Sequence, residues 1–305
     1  MKVRFAISPG IEMWDQAVLP EFVDALEQLG FDTIWLSDIP MGSQVDPLVG
    51  LSFAAGRTHR LKLGANLVPL GRNPMLLAKG LAQLDQLSNG RLLLSLVPGL
   101  DQPGERAALG IGAANRGRYL DEVIPLLRRW WSGETVDYHS ERFQFPDIAV
   151  RPLPAQSPLE VWLGGVGPAA LKRAGALSDG WLGAALTPPE AGEAVRQINA
   201  SAAQAGRKID EEHFGLSIPY ARTTPDDHAL AALRARRPDA DLEQILPVGA
   251  QQLRELIGQL VDEGLSKFVV RPIASAGDSH ETQLSERAWR HELEWLAETV
   301  IDLQT

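Results

Sequence analysis

Apolar positions along this chain follow two different spacings. Short, nearly continuous apolar runs suit strands that are buried on both faces of a parallel sheet. Between these runs, apolar residues recur at the spacing of one helix face, and the first such helix is predicted to end where Gly30 supplies a C-cap. Eight runs qualify as strands: residues 3–7, 33–37, 61–68, 92–97, 160–163, 180–184, 214–219 and 267–271.

Parallel strands that alternate with helices form either an open doubly wound sheet or a closed barrel. Eight strands in 305 residues favour the barrel, so the predicted fold is an α/β (β/α)8 TIM barrel with insertions after strands 4 and 7. The insertions, residues 100–158 and 223–247, would cover the C-terminal face, where active sites lie in this fold. The sequence contains no obvious linker, and we predict that residues 1–305 form a single domain.

The segment after the fifth strand has the features of a phosphate-binding turn. Its residues are Gly164, Gly165, Val166 and Gly167, and Pro168 is well placed as the first residue of a helix. Glycine lets a phosphate approach the backbone, and the free N–H groups and dipole of a helix start attract an anion. A valine at Gly165 is therefore expected to damage ligand binding more than folding. The alternative is a tight strand-to-helix turn without a ligand.

Two charged residues stand at the ends of predicted strands. Asp38 either faces a bound ligand or caps the following turn. Arg271 has a guanidinium suited to paired hydrogen bonds with a phosphate, and its alternative role is a structural ion pair at the barrel rim. The arginine-rich run 234–237 is interpreted as a solvated helix face, and Trp162 and Trp181 are interpreted as core residues.

Composition narrows the range of functions. The chain has no cysteine, which excludes disulfides and thiolate chemistry, and its net charge of −10 disfavours nucleic-acid binding. No apolar run approaches the roughly 18–20 residues of a membrane span, and the apolar start of the chain is too short for a signal peptide, so we predict a cytoplasmic protein. The six histidines lack paired metal spacing, so no metal site is predicted.

Several strings taken together resemble the luciferase-like monooxygenase superfamily, and within it the coenzyme F420-dependent oxidoreductase branch. The resemblance extends over nearly the whole chain. It rests on residues 30–38, on Arg72-Asn73-Pro74 with 77–79 and 84–85, on Gly90-Arg91, on Glu122 with 126–128, and on 161–165 with 179–181. It implies a (β/α)8 barrel that holds a flavin or deazaflavin at its C-terminal face. It also implies that Asn66, near the end of strand three, contacts the ring system of the cofactor.

Two positions depart from the pattern of the superfamily's sugar-phosphate dehydrogenases. A histidine that follows the Ser-Asp pair in that subgroup is Ile39 here, and a glutamate after strand four is Leu100. The acid/base pair of that subgroup is therefore missing, and no catalytic residue is predicted. Hydride transfer remains feasible, because the cofactor carries the chemistry while the protein supplies position and electric field.

The resemblance thus predicts an F420-dependent oxidoreductase that transfers a hydride between the deazaflavin and a small organic substrate. Gly164, Gly165, Val166 and Gly167 would cradle the phosphate with help from Arg271, while Asp38 and Asn66 would line the ring pocket. Two alternatives stay open: an FMN-dependent monooxygenase, and a flavin-binding barrel without turnover. The partners expected are a small-molecule substrate and no nucleic acid or membrane; a homodimer is left open, as are the substrate and the direction of reaction.

Overall fold

Eight parallel strands close into a barrel in a computed structural model that describes residues 1–9, 18–100, 102–110, 116–276 and 286–305. The barrel strands are β1 (Arg4–Ile7), β2 (Thr33–Ser37), β3 (Lys62–Leu67), β4 (Leu92–Leu96), β7 (Val161–Gly164), β8 (Gly180–Ala184), β9 (Phe214–Tyr220) and β10 (Lys267–Pro272). Their hydrogen-bonded order is β1-β10-β9-β8-β7-β4-β3-β2, closed between β2 and β1. The predicted TIM barrel and all eight predicted strands are confirmed.

Helices follow the strands around the outside of the barrel. They are α1 (Leu19–Leu29), α2 (Pro47–Arg57), α3 (Pro74–Leu87), α4 (Pro103–Ala108), α5 (Arg116–Trp131), α6 (Pro168–Leu177), α7 (Pro188–Gln204), α8 (Asp227–Arg236), α9 (Gly249–Asp262) and α10 (Glu286–Val300). Capping residues fix the helix ends. Gly30 ends α1 with φ +84°, and the Asn73 side chain caps the start of α3 by accepting hydrogen bonds from the amides of Met75 and Leu76. Among the described helices, none is both long and apolar enough to cross a membrane.

Both predicted insertions are present. The first, after β4, holds α4, α5 and an antiparallel pair of strands, β5 (Val136–His139) and β6 (Gln144–Ile148). The second, after β9, holds α8 and a short 3-10 turn at Leu242–Gln244. The sequence did not predict α4, because its Gly- and Ala-rich surroundings favour a loop.

Side chains alternate between two buried layers. Leu92, Leu94 and Leu96 of β4 belong to the core between barrel and helices, so Leu93 and Ser95 face the barrel interior. At mid-height the interior is filled by one apolar cluster: Ala6, Trp35, Trp162, Leu182 and Val269. A Cβ at Gly64 would collide with the Trp35 ring, so glycine there makes room for the indole. This cluster, which we call the tryptophan plug after Trp35 and Trp162, therefore closes the barrel below its C-terminal end.

The N-terminal end of the barrel carries a buried ionic cluster. Asp32, just before β2, accepts from the Lys267 ammonium at 2.9 Å and lies 3.2 Å from Lys62 and 3.5 Å from Arg4. Burial opposes ionisation of Asp32, but Lys267 and Lys62 outweigh it and lower the carboxyl pKa to about 2. For Lys267, burial disfavours the charged ammonium more than Asp32 favours it, so the pKa of Lys267 falls to about 8. This cluster joins β1, β2, β3 and β10 on the face opposite the insertions.

Candidate cofactor site

A cavity of about 450 Å³ opens at the C-terminal end of the barrel, directly above the tryptophan plug. Every barrel strand contributes a residue to its wall or lies next to one that does. Strand by strand around the barrel, these residues include Ser8, Arg271, Ser217, Leu182, Gly164, Val97, Asn66 and Trp35. The cavity has the size and position expected of a ligand site in this fold.

Polar side chains surround the floor of the cavity. Ser37, Asn66 and Ser95 stand side by side in register on β2, β3 and β4, and the Asn66 amide donates to the Ser37 hydroxyl at 3.3 Å. Among the described residues, the buried indole nitrogen of Trp35, a residue of the cavity wall, lacks a partner. The Ser95 hydroxyl also lacks one, but Ser95 is fully buried inside the barrel and does not line the cavity. Buried polar atoms normally find partners, so the Trp35 nitrogen is a candidate donor to a bound ligand. The sequence reasoning missed both, because alternation in a buried strand marks neither Ser95 nor Trp35 as special.

Asp38 lines the cavity, but its carboxylate is already engaged. One oxygen accepts from the Val68 amide at 3.1 Å and from Arg72 at 2.9 Å, and Arg72 also reaches Asp46 at 2.8 Å. Burial raises the Asp38 pKa against the lowering effect of Arg72. The carboxylate therefore organises the loop after β3, which is close to the turn-capping alternative. A contact between Asp38 and a cofactor stays a prediction.

The glycine-rich turn borders the cavity through three of its four predicted residues. Gly164, Gly165 and Val166 line the wall, whereas Gly167 does not and serves instead as the N-cap of α6 without a side-chain cap. Gly165 has φ +104°, and a Cβ there would lie 2.9 Å from the Ala170 Cβ. Glycine is thus required by the backbone at this position. A valine at Gly165 would therefore strain the fold as well, and the expectation that it disturbs binding more than folding stays a prediction.

The opposite side of the mouth is cationic. Arg271 is partly buried, and among the described residues its guanidinium has no carboxylate or hydrogen-bond acceptor. Burial and the nearby Arg236 lower its pKa to about 10, so it still carries a charge at neutral pH. The alternative of a structural ion pair at the rim is therefore not realised within the described part of the chain. An unpaired, partly buried cation is the feature expected of an anion-binding residue.

Two arginines of the second insertion extend this cationic side. Arg236 lies exposed at the cavity wall, and Arg237 donates to the Glu190 carboxylate at 2.8 Å and to the carbonyl of Ala185. The interpretation of run 234–237 as a solvated face holds for Arg234 but not for Arg236 and Arg237, which line the cavity. Sequence alone could not place them, because only tertiary structure brings the insertion over the barrel.

The glycine turn and Arg271 do not stand on adjacent strands. They belong to β7 and β10, which β8 and β9 separate. At about 4.8 Å between neighbouring strands, three spacings amount to roughly 14 Å along the wall. The mouth thus has two candidate positions for an anion, the start of α6 and Arg271 with its neighbour Arg236, and a shared phosphate stays a prediction.

The two positions that lack the sugar-phosphate dehydrogenase acid and base both line the cavity. Ile39 lies in the loop after β2, and Leu100 lies in the loop after β4, where the buried Glu105 carboxylate accepts from its amide at 2.6 Å. Asp38 is the one carboxylate among the described lining residues, and no histidine lines the cavity there. Proton transfer by a free carboxylate or imidazole therefore has no candidate in the described wall.

A flavin or deazaflavin fits these residues on three counts. The Trp35 indole nitrogen in the wall lacks a partner among the described residues, Arg271 presents a partly buried cation without an acceptor there, and the glycine-rich turn that leads into α6 borders the cavity. A ring system with carbonyl groups and an anionic side chain would satisfy all three features.

Comparison with known proteins agrees with this geometry. The family model described as luciferase-like monooxygenase matches residues 13–289. Limonene 1,2-monooxygenase of Rhodococcus erythropolis is 30% identical over 70% of this chain, a match that spans 57% of that protein. F420-dependent glucose-6-phosphate dehydrogenase of Nakamurella multipartita is 24% identical over 88% of this chain and 83% of its own length.

A solved structure shares the whole fold. An F420-dependent secondary alcohol dehydrogenase in complex with an F420-acetone adduct superposes with a TM-score of 0.81 at 17% identity, covering 100% of both chains. The barrel, the cavity at its C-terminal end and the match over residues 13–289 lead to one conclusion. This chain belongs to the luciferase-like monooxygenase family.

Proposed function

We propose that this protein is an F420-dependent oxidoreductase that transfers a hydride between the deazaflavin and a small organic substrate. The observation that carries the proposal is Arg271, a partly buried cation without a partner among the described residues, in the wall of a cavity that also exposes the unpartnered indole nitrogen of Trp35 to a ligand. Similarity to an F420-dependent dehydrogenase over 88% of this chain supports the choice of cofactor.

Each side of the cavity has a distinct task in this proposal. When bound, the deazaflavin supplies the hydride acceptor or donor. Asn66 and the Trp35 indole orient its ring through hydrogen bonds at the floor. Arg271 and the start of α6 hold its anionic groups. The tryptophan plug closes the barrel below and excludes water from that side.

Proton handling separates this protein from the sugar-phosphate dehydrogenases. Ile39 and Leu100 carry no ionisable group, and Asp38 is held by Arg72 and the Val68 amide. Oxidation of a sugar hydroxyl with the help of a paired histidine and glutamate is therefore not expected here. Among the described lining residues, the hydroxyls of Ser8, Ser37 and Ser217 remain as groups that can pass a proton to or from a substrate.

An FMN-dependent monooxygenase is the second candidate. It is favoured by the 30% identity with limonene 1,2-monooxygenase over 222 residues, a higher identity over a shorter stretch than with the dehydrogenase. Both candidates need the same cavity and differ in the ring that it holds.

Titration of the cofactor-free protein with coenzyme F420 and with FMN, side by side in a calorimeter, separates the two candidates. We expect F420 to bind at least tenfold more tightly, a difference of about 1.4 kcal/mol. Equal or reversed affinities would favour the monooxygenase, and binding of neither cofactor would contradict both. A barrel that binds F420 but shows no change in cofactor oxidation state with any substrate would be a binding protein without turnover.

A further inference from the structure

The cavity mouth divides into two halves of different chemistry. Around the barrel, β2, β3, β4 and β7 are consecutive, and their loops present Ile39, Leu100 and Val166 to the cavity. The other half, from β8 to β10 with the second insertion, presents Arg236, Arg237 and Arg271. Positive charge is thus concentrated on one side of the opening, whereas the other side presents these hydrocarbon side chains above Asn66 and Asp38, whose carboxylate is held by Arg72.

The apolar half is exposed to solvent. Leu100 is 40% exposed and Val166 is 45% exposed, and both line the cavity. Large apolar side chains exposed together at the edge of a cavity are typical of a binding surface. The loop backbone at Leu100 is held in place by Glu105, which is 2% exposed and accepts from the Leu100 amide at 2.6 Å.

We propose that the Ile39–Leu100–Val166 half of the mouth is the substrate subsite, and that it selects a neutral, largely hydrocarbon molecule. This inference rests on the proposed function, in which Arg271, the backbone at the start of α6 and the floor hold the cofactor, and the side chains of Ile39, Leu100 and Val166 stay available to a substrate. A sugar or a phosphorylated substrate would bury its hydroxyls or charge against this surface without partners, which is unfavourable. An apolar substrate gains roughly 25 cal/mol for each Å² of apolar surface that it buries there.

Two ring-shaped carbonyl compounds probe this selectivity: 4-tert-butylcyclohexanone, which is mostly hydrocarbon, and gluconolactone, which carries hydroxyls. Binding of each to the protein, loaded with whichever of F420 and FMN it binds, is measured by saturation-transfer NMR. We expect the dissociation constant of the ketone to be at least tenfold lower than that of the lactone. Tighter binding of the lactone, or of glucose 6-phosphate, would overturn the proposal.

Leu100→Gln tests the surface directly, since it keeps side-chain size and adds no charge. We expect it to raise the ketone dissociation constant by at least fivefold while the cofactor dissociation constant stays within twofold. The matched control is Leu87→Gln at the end of α3, where Leu87 is 69% exposed and does not line the cavity. It should change neither constant.

The outcomes distinguish a wrong subsite from a wrong function. If the cofactor binds but Leu100→Gln leaves ketone binding unchanged, the apolar half is not the substrate subsite. If neither cofactor binds while the ketone still binds in a Leu100-dependent manner, the proposed function is wrong and the apolar subsite stands.

Discussion

Two partly buried arginines, one just before a barrel strand and one within a strand, show how differently a guanidinium can be used. Arg91, just before β4, donates five hydrogen bonds to the Thr58 hydroxyl and to the carbonyls of Ala55, Thr58, Leu61 and Ser88. Arg271 has no such partner among the described residues. The first arrangement stabilises the fold, whereas the second keeps donors available for a ligand.

Arg271→Met should therefore separate binding from stability. Because it removes a partly buried cation without a partner, the free energy of unfolding of the cofactor-free protein should stay the same or rise. The cofactor dissociation constant should rise by one to two orders of magnitude, as expected from the loss of about 1.5–3 kcal/mol of charged hydrogen bonding. Urea unfolding and calorimetric titration measure the two effects.

Arg91→Met is the control with the opposite outcome, a loss of several kcal/mol of stability through unsatisfied carbonyls.

Arg271→Lys keeps the charge but cannot present two parallel donors, so it should weaken cofactor binding and leave turnover at saturating cofactor nearly intact. Normal cofactor affinity with turnover lost at saturation would mean that Arg271 faces the substrate or the ring.

At the scale of elements, the ionic cluster of Asp32 with Lys267, Lys62 and Arg4 connects four neighbouring strands at the closed end of the barrel. The pKa of the Asp32 carboxyl, about 2, lies below its ordinary value of 3.8. Between pH 2 and pH 3.8 the native state therefore binds fewer protons than the unfolded state. The stabilisation is complete above about pH 5 and is lost as the pH falls toward 2. It amounts to about 2 kcal/mol in all.

Asp32→Asn tests this dependence. It should destabilise the protein by about 3–5 kcal/mol near neutral pH, because it leaves Lys267 buried without its carboxylate. The difference in free energy of unfolding between wild type and variant should shrink by about 1 kcal/mol between pH 5 and pH 3. A matched surface change, Asp24→Asn, breaks the exposed pair with Arg57 and should cost less than 1 kcal/mol. A pH-independent difference for Asp32→Asn would contradict the assignment.

The strands and the helix ends were the features of this structure that the sequence predicted best. Strands of a parallel barrel are apolar on both faces, so their sequences stand out, and caps such as Asn73 and Gly30 mark helix ends by local chemistry alone. Residues that line the cavity were predictable where they directly follow from a strand end, as at Asn66 and Arg271. The place of Arg236 in the wall was not, because it depends on contacts between distant segments.

For the whole molecule, we predict a single cooperative unfolding transition. The barrel closes by pairing β1 with β10 and with β2, so no strand can leave without breaking two ladders. The two ends of the chain also meet, since the Val3 amide donates to the Thr305 hydroxyl at 3.0 Å. Scanning calorimetry should show one peak that moves upward as a unit when cofactor is added, by the equivalent of about 2.7 kcal/mol at 100 times its dissociation constant. Two peaks, or a shift of only part of the signal, would argue for separate domains.

The tryptophan plug has an optical consequence. Trp35 forms part of the cavity wall, and Trp162 belongs to the same cluster inside the barrel. Flavin and deazaflavin rings absorb light where indoles emit it, so a ring seated on this floor would take up excitation energy from Trp35 and dim its emission. Intrinsic tryptophan fluorescence should therefore report how much cofactor is bound. The Trp35→Phe variant would show how much of the quenching comes from Trp35, the one indole in the described cavity wall.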